Sequence, residues 1–328
     1  MRLTPLLRHK TPMTETATPP DAHAANRRIT TLSVGVAVFL IAIKAFALGA
    51  SGSVSILASL ADSALDLIAS LAVFFAVRWA AIPPDHEHRY GHGKAEALAF
   101  LVQAGLVFAS AVFIAWESIQ RMIDPRPITA GGWAVAVMVT SIVVTLGLVW
   151  LQSRAIRATG SLAVRGDRAH YAADLGANIV VLIGAASGAF LGAAGLDAAA
   201  GLVVAVWLFW GALGMLKGAA DHLMDKGVDD ETRARIVAAV LADPRIGGVH
   251  QLRTRMAGPV LMMQMHVDLE PDQTLEAAHG VVVEAESRIL KAFPGADILI
   301  HPDPRGRTRP HGGVTGDTGA STGVPVTE

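Results

Sequence analysis

Cysteine is absent from the chain. Disulfides, iron–sulfur clusters and thiolate metal ligands are excluded together, so any metal site must be assembled from His, Asp and Glu. Charge is also scarce. Charged residues make up 17% of the 328 positions, where a soluble domain carries about 25%. The net charge of −1 offers no electrostatic pull toward nucleic acid. No short apolar h-region with a cleavage site precedes the first long apolar run, so no signal peptide is expected. Hydrophobic residues, by contrast, form 52% of the chain. They gather into several runs of about 18 or more, the mark of a polytopic membrane protein.

Six spans are expected, at residues 29–50, 54–81, 95–121, 132–152, 169–194 (with a start several residues earlier also open) and 197–217. Arg27, Arg28, Arg78, Arg89, Lys94, Arg154, Arg157, Arg165, Arg168 and Lys217 fall on one side of them, and only Arg121 and Arg126 on the other. Basic loops stay in the cytoplasm, which places both termini there. Lys44 is the one basic residue at depth, and it either snorkels or pairs with an acid. After about residue 221 charges return and the apolar runs shorten. A helix at 229–242, strands at 248–256 and 260–270, a helix at 274–293 and a strand at 296–301 give an α-β-β-α-β order. The expected organisation is a tail at 1–26, a transmembrane domain at 27–220, a soluble domain at 221–303 and a second tail at 304–328. The tails are polar, rich in Thr, Pro and Gly, and read as disordered.

Two carboxylates, Asp62 and Asp66, lie inside the second span. Each costs roughly 2.5–3.5 kcal/mol at the centre of a spanning helix. Their i, i+4 spacing puts both on one face, where they repel unless a proton or a cation sits between them. Such residues mark ion pathways; a salt bridge to a lysine on a neighbouring helix is the plainer reading. The fifth span carries a second i, i+4 pair, His170 and Asp174. Four N and O ligands from two facing helices can make a tetrahedral site suited to Zn²⁺, Fe²⁺, Mn²⁺ or Cd²⁺. His170 could instead be a polar group at the mouth of its span. Asp85, His88 and His92 form an Asp-x2-His-x3-His cluster in the loop after the second span, although histidine-rich loops are often merely solvated. In the soluble domain, His250 and His266 fall on paired strands, His279 on a helix, and His301 and Asp303 at the last strand; Asp268 shares a face with His266.

These motifs, six spans and the α-β-β-α-β domain resemble the cation diffusion facilitator family, and in particular its bacterial zinc and ferrous-iron efflux branch. The loop Asp85-x2-His88-x3-His92-Gly-Lys-Ala-Glu and the strand His250-Gln-Leu-Arg-Thr-Arg carry the closest likeness, which extends from about residue 27 to 304. The resemblance implies a six-helix membrane domain with a cytoplasmic ferredoxin-like α+β domain, working as a homodimer in the inner membrane. It implies a transport site at Asp62, Asp66, His170 and Asp174, a loop site at Asp85, His88 and His92, and a cytoplasmic binuclear site at His250, His266, His279, His301 and Asp303. The resemblance also implies that Lys94 stands near Asp225, in a salt-bridge region between the subunits. The activity implied is exchange of a divalent cation, Zn²⁺ and in some members Fe²⁺ or Cd²⁺, for protons. With an unperturbed pKa of about 6.5, a histidine is the natural proton carrier, here His170. A passive metal channel and a membrane metal sensor are the alternatives. An intramembrane zinc hydrolase is disfavoured, because all four intramembrane groups look like ligands and His86-Glu-His88 does not match His-Glu-x-x-His.

Overall fold

The structure, a computed structural model, describes residues 19–51, 54–124, 132–191 and 196–307. The turn at residues 52–53, much of the loop after the third helix, most of the first tail and the second tail from residue 308 lie outside the described residues. Six long helices come first: α1 (Pro19–Ser51), α2 (Val54–Ala80), α3 (Ala95–Ile123), α4 (Gly132–Thr159), α5 (Leu162–Leu191) and α6 (Leu196–Leu223). The soluble part follows as α7 (Asp230–Leu241), β1 (Gly248–Ala257), β2 (Val260–Leu269), α8 (Leu275–Ala292) and β3 (Asp297–Pro304).

Two helices start well before the hydropathy bounds, and α3, α4 and α6 run past them to Ile123, Thr159 and Leu223, whereas α2 ends at Ala80, one residue short. Thus α1 begins at Pro19, inside the expected tail, and α5 begins at Leu162. Among the described residues five helices are long and apolar enough to cross a membrane, within Asp21–Ala50, Ser59–Ala80, Ala95–Ile123, Val135–Thr159 and Ala198–Leu223. The sixth, α5, carries Arg165, Asp167, Arg168, His170 and Asp174 in its first half. It is nonetheless the helix that touches all the other five. Asp167 and His170 are buried against protein, while Arg165 is exposed. Large apolar side chains such as Phe46, Phe75, Phe113 and Trp210 point outward instead, as they should where the surroundings are hydrocarbon.

Helices α1, α2, α4 and α5 form one bundle, and α3 pairs lengthwise with α6. The α3–α6 seam is built from Ala97, Ala104, Ala111, Ala212 and Ala219 around Phe100 and Leu208. Small side chains let two backbones approach closely, which is what drives helix association when no water is expelled.

Two polar devices fix α5. At its start, Ser161 acts as the N-cap, its Oγ accepting from Val164 N–H at 3.3 Å. The buried Glu96 of α3 then accepts from Ser161 Oγ (2.6 Å) and Leu162 N–H (3.1 Å). A turn further on, buried Asp167 accepts from Gln152 Nε2 of α4 (2.8 Å) and Ser70 Oγ of α2 (3.2 Å), and Gln152 also donates to Ser33 Oγ of α1 (3.1 Å). Four helices thus meet on one carboxylate. Glu96→Ala is expected to destabilise the fold by about 1–3 kcal/mol, because it orphans two buried donors at a helix end. A lowered midpoint of thermal unfolding in detergent checks this, and an unchanged midpoint contradicts it.

In the soluble domain α7 and α8 pack on one face of a three-stranded sheet of order β1-β2-β3. Asp229 caps α7 and Thr274 caps α8, each accepting from a backbone N–H three residues on. The first pair of strands is antiparallel and the second parallel.

The soluble domain is joined to the membrane domain at the loop between α2 and α3. Gly93 lies so close to the β1–β2 hairpin that a Cβ there would stand 2.3 Å from Ala257 O. Beside it, Lys94 Nζ meets Asp225 Oδ1 at 2.9 Å within the same chain, Arg255 Nη1 meets Asp225 Oδ2 at 3.3 Å, and the Arg255 guanidinium lies over the Tyr90 ring. Burial acts to raise the Asp225 carboxyl, but Lys94 and then Arg255 hold it below the usual carboxylate range. Its contribution to the junction is therefore present above the unfolded value of about 3.9 and is lost as pH falls below that.

Candidate metal sites

In the membrane domain, His170 Nε2 lies 3.1 Å from Asp66 Oδ1 and 3.8 Å from Asp174 Oδ2. One ligand atom from each of these three residues lies within 4.8 Å of the other two. Asp66 and His170 are buried. The i, i+4 spacing on α5 stacks His170 over Asp174 on one face, and the α2–α5 contact brings Asp66 to them. Asp174 Oδ2 is buried with no hydrogen-bond partner among the described residues, which suits a site completed by a cation. Asp62 is the exception. One turn away on α2, about 6 Å along the axis, it is exposed and stands outside this group of three.

The loop cluster forms around Asp85. Its Oδ1 accepts from the backbone N–H of His88 (2.6 Å) and of Glu87 (2.9 Å). The His88 N–H above all holds the Asp85 carboxyl below the usual range. His92 Nε2 lies 3.3 Å from Asp85 Oδ2, and His88 Nδ1 lies 3.5 Å from Asp85 Oδ1. His92 Nδ1 lies 3.3 Å from the carbonyl of Ile82. With the ring proton on Nδ1, that carbonyl would accept it and Nε2 would be left to ligate an ion shared with Asp85.

The cytoplasmic cluster is written in the strand register. His250 pairs with His266, and His266 with His301, so three histidines stand in one row across the sheet. Two residues on, Asp268 pairs with Asp303 and shares their face. Buried Asp303 gathers the row: its Oδ2 is 2.8 Å from His266 Nδ1 and 3.4 Å from His250 Nε2, and its Oδ1 is 3.4 Å from His301 Nε2. His250, His266 and Asp303 can share one ion. Two irregularities serve this geometry. The β1 register slips between His250 and Arg253, with Gln251 at φ 51°, a bulge of the kind that re-aims a side chain. Gly248 leaves room for the Asp268 carboxylate, which a Cβ would meet at 2.7 Å.

One sequence expectation is corrected here: Asp303 lies within β3, which runs on to Pro304 rather than ending at residue 301. His279 is exposed on α8 and is not among the three residues whose ligand atoms lie within 4.8 Å of one another. Asp268 comes closer, 3.5 Å from His250 Nε2.

The donor set of imidazoles and carboxylates fits a borderline divalent ion such as Zn²⁺. Binding that ion stabilises the folded state by about 2.7 kcal/mol at a hundredfold excess over Kd. Chelation is therefore expected to lower the unfolding midpoint of the whole protein, and Asp303→Asn to remove most of that chelator-sensitive part. An identical chelator shift in the variant would contradict the assignment.

Similarity to known proteins agrees with this architecture. Residues 30–224 match the cation efflux transmembrane domain, and residues 228–305 match the cytoplasmic domain of cation efflux proteins. The cation-efflux pump FieF of Cronobacter sakazakii is 41% identical over 269 residues, 82% of this chain and 89% of that protein. Its counterpart in Shewanella oneidensis is 39% identical over 272 residues, 83% of this chain and 92% of that protein. A solved structure of the zinc transporter CzrB in its Zn form shares 34% identity, covering 26% of this chain and 99% of that one at a TM-score of 0.25. A multi-pass membrane domain with a cytoplasmic C-terminal domain, two membrane-embedded helices that share a His and two carboxylates, and relatives of this similarity identify the chain as a cation efflux protein, a transporter and not an enzyme, of the cation diffusion facilitator family.

Proposed function

We propose that the protein exports Zn²⁺ from the cytoplasm across the inner membrane in exchange for protons, working as a homodimer, with Fe²⁺ and Cd²⁺ as further cargo. The observation that carries this reading is the 3.1 Å approach of His170 Nε2 to Asp66 Oδ1 between apolar helices. A carboxylate oxygen can only accept when ionised, so the proton lies on or beside Nε2. That same nitrogen is the one a metal shared with Asp66 and Asp174 would need. Proton and metal are therefore rivals for one atom, and loading the metal releases the proton.

Cargo enters from the cytoplasm when the site is deprotonated, with Asp66, His170 and Asp174 as ligands and Asp62 as the fourth. Asp62 completes a tetrahedron when α2 shifts against α5. Protons arriving from the outer side displace the ion, and the bundle rocks between the two openings around a nearly fixed site. The loop cluster, on the same segment as Gly93 and Lys94, lies where the soluble domain docks. The cytoplasmic cluster holds a resident ion that strengthens the dimer and, when metal is plentiful, biases the open state. Metal uptake by vesicles holding the purified protein tests this. An imposed pH gradient, acid inside, should drive Zn²⁺ inward ahead of Mn²⁺. Uptake indifferent to the gradient would favour a passive channel, and binding without uptake a sensor.

A further inference from the structure

Lys44 does not snorkel to the membrane surface, and among the described residues it makes no direct ion pair. It is buried in α1, and its Nζ donates to Ser63 Oγ (2.6 Å) and to Ser59 O (3.1 Å) of α2. Burying an ammonium among helices is expensive, and two neutral acceptors are a poor return for it. A Leu or Met would join α1 to α2 without that cost. What the ammonium has that these lack is charge. The charges nearest its anchors are Asp62, the neighbour of Ser63, and Asp66, three residues further along α2 and grouped with Asp174.

The position is also asymmetric. The far end of α2 leads into the loop that docks on the cytoplasmic domain, so its start at Val54 is the outer end. Ser59 and Ser63 therefore hold Lys44 on the outer side of Asp66, roughly one to two helical turns away.

We propose that Lys44 is the fixed counter-charge of the cargo site. Tethered by Ser59 and Ser63, its ammonium offsets one of three carboxylates and so weakens the hold on a divalent cation enough for release to the outer side. The inference rests on the transport site proposed above. Three carboxylates beside a neutral imidazole would present three negative charges to the ion. In a medium of low dielectric that is a trap rather than a relay, because each further unit charge deepens the well steeply. With the ammonium in place the surplus is two, which one divalent cation neutralises. Because Lys44 is tethered to α2 rather than to a ligand, it acts through its field and leaves all four ligand groups free.

The sign of the effect separates this role from a purely structural one. If Lys44 only joined two helices, its loss would loosen the site and weaken zinc binding. If it is the counter-charge, its loss strengthens binding and slows release. The test uses the full-length protein carrying Asp85→Ala and Asp303→Asn, so that the membrane cluster dominates a Zn²⁺ titration against a competing chelator dye. Lys44→Gln can still donate to Ser59 and Ser63. It is expected to bind Zn²⁺ about tenfold to a hundredfold more tightly, with a lower KM and a lower turnover in vesicles. Lys44→Arg should restore both values toward those of the parent. An unchanged or weaker affinity in Lys44→Gln overturns the proposal. Should that variant fail to fold, Ser63→Ala decides. It keeps the charge but frees the ammonium to turn toward Asp62, so zinc should bind more weakly, and an unchanged affinity overturns the proposal. If Asp66→Ala leaves the titration unaltered, the transport-site reading itself fails, a result distinct from a null effect at Lys44.

Discussion

Asp66→Ala is expected to reduce Zn²⁺ uptake by more than about a hundredfold, and Asp174→Ala to do the same, while the protein remains a folded dimer. The loss follows from the geometry. Asp66 supplies the only group of α2 within reach of His170, at 3.1 Å, among the three residues whose ligand atoms cluster. Without it the cargo keeps His170 and Asp174 on α5 and, on α2, only Asp62, which stands outside the group of three. Stability should move the opposite way or not at all. A carboxylate within a spanning helix costs roughly 2.5–3.5 kcal/mol, and its removal relieves that cost, so both unfolding midpoints should equal or exceed that of the parent. Loss of transport together with loss of fold would leave a structural role for these acids, and undiminished uptake by either variant would remove them from the site.

Metal choice rests on His170. Imidazole nitrogen is softer than carboxylate oxygen and suits Zn²⁺, whereas all-oxygen sites suit Mn²⁺ and other hard cations better. His170→Asp keeps a polar pocket but removes the nitrogen. It should weaken zinc transport about tenfold or more and shift the selectivity order toward Cd²⁺ or Mn²⁺. The pH dependence of uptake should also flatten, because the imidazole that alternates between proton and metal is gone. Uptake of Zn²⁺, Cd²⁺, Mn²⁺ and Fe²⁺ by both proteins across a pH series checks this. An unchanged order with an unchanged profile would mean that His170 is a bystander at the start of its helix.

What could be read in the sequence were features of local spacing. Pairs at i, i+4 announced a shared helix face for His170 and Asp174, and alternation announced the strands that carry His250 and His266. What could not be read depended on how elements meet. Glu96 on α3 capping α5 at Ser161 and Leu162 couples residues 65 and 66 positions apart, and no local pattern marks it. The same is true of Lys44 reaching Ser63 and of Asp167 gathering Ser70 and Gln152. The start of α5 was left open between residue 169 and several residues earlier, because its first turns carry Arg165, Asp167 and Arg168, which hydropathy scores as a loop; it falls at Leu162. They are tolerated where α5 is enclosed by five neighbours. Pro302 made β3 look finished at residue 301. The strand continues because β3 is an edge strand, where a missing N–H costs little. The place of His279 could not be read either, because it depends on which stripe of α8 packs inward, and Val281, Val282, Ala285 and Ile289 form that stripe.

The central claim is that one membrane-embedded group of residues binds either a metal or protons. Simultaneous recording of lumenal pH and zinc entry in vesicles holding the intact protein tests it most directly. With the lumen acidic, each addition of Zn²⁺ should raise lumenal pH in step with zinc uptake, and both signals should vanish together in Asp66→Ala. Zinc entry at the same rate after the pH gradient is collapsed, with no accompanying proton movement, would contradict it.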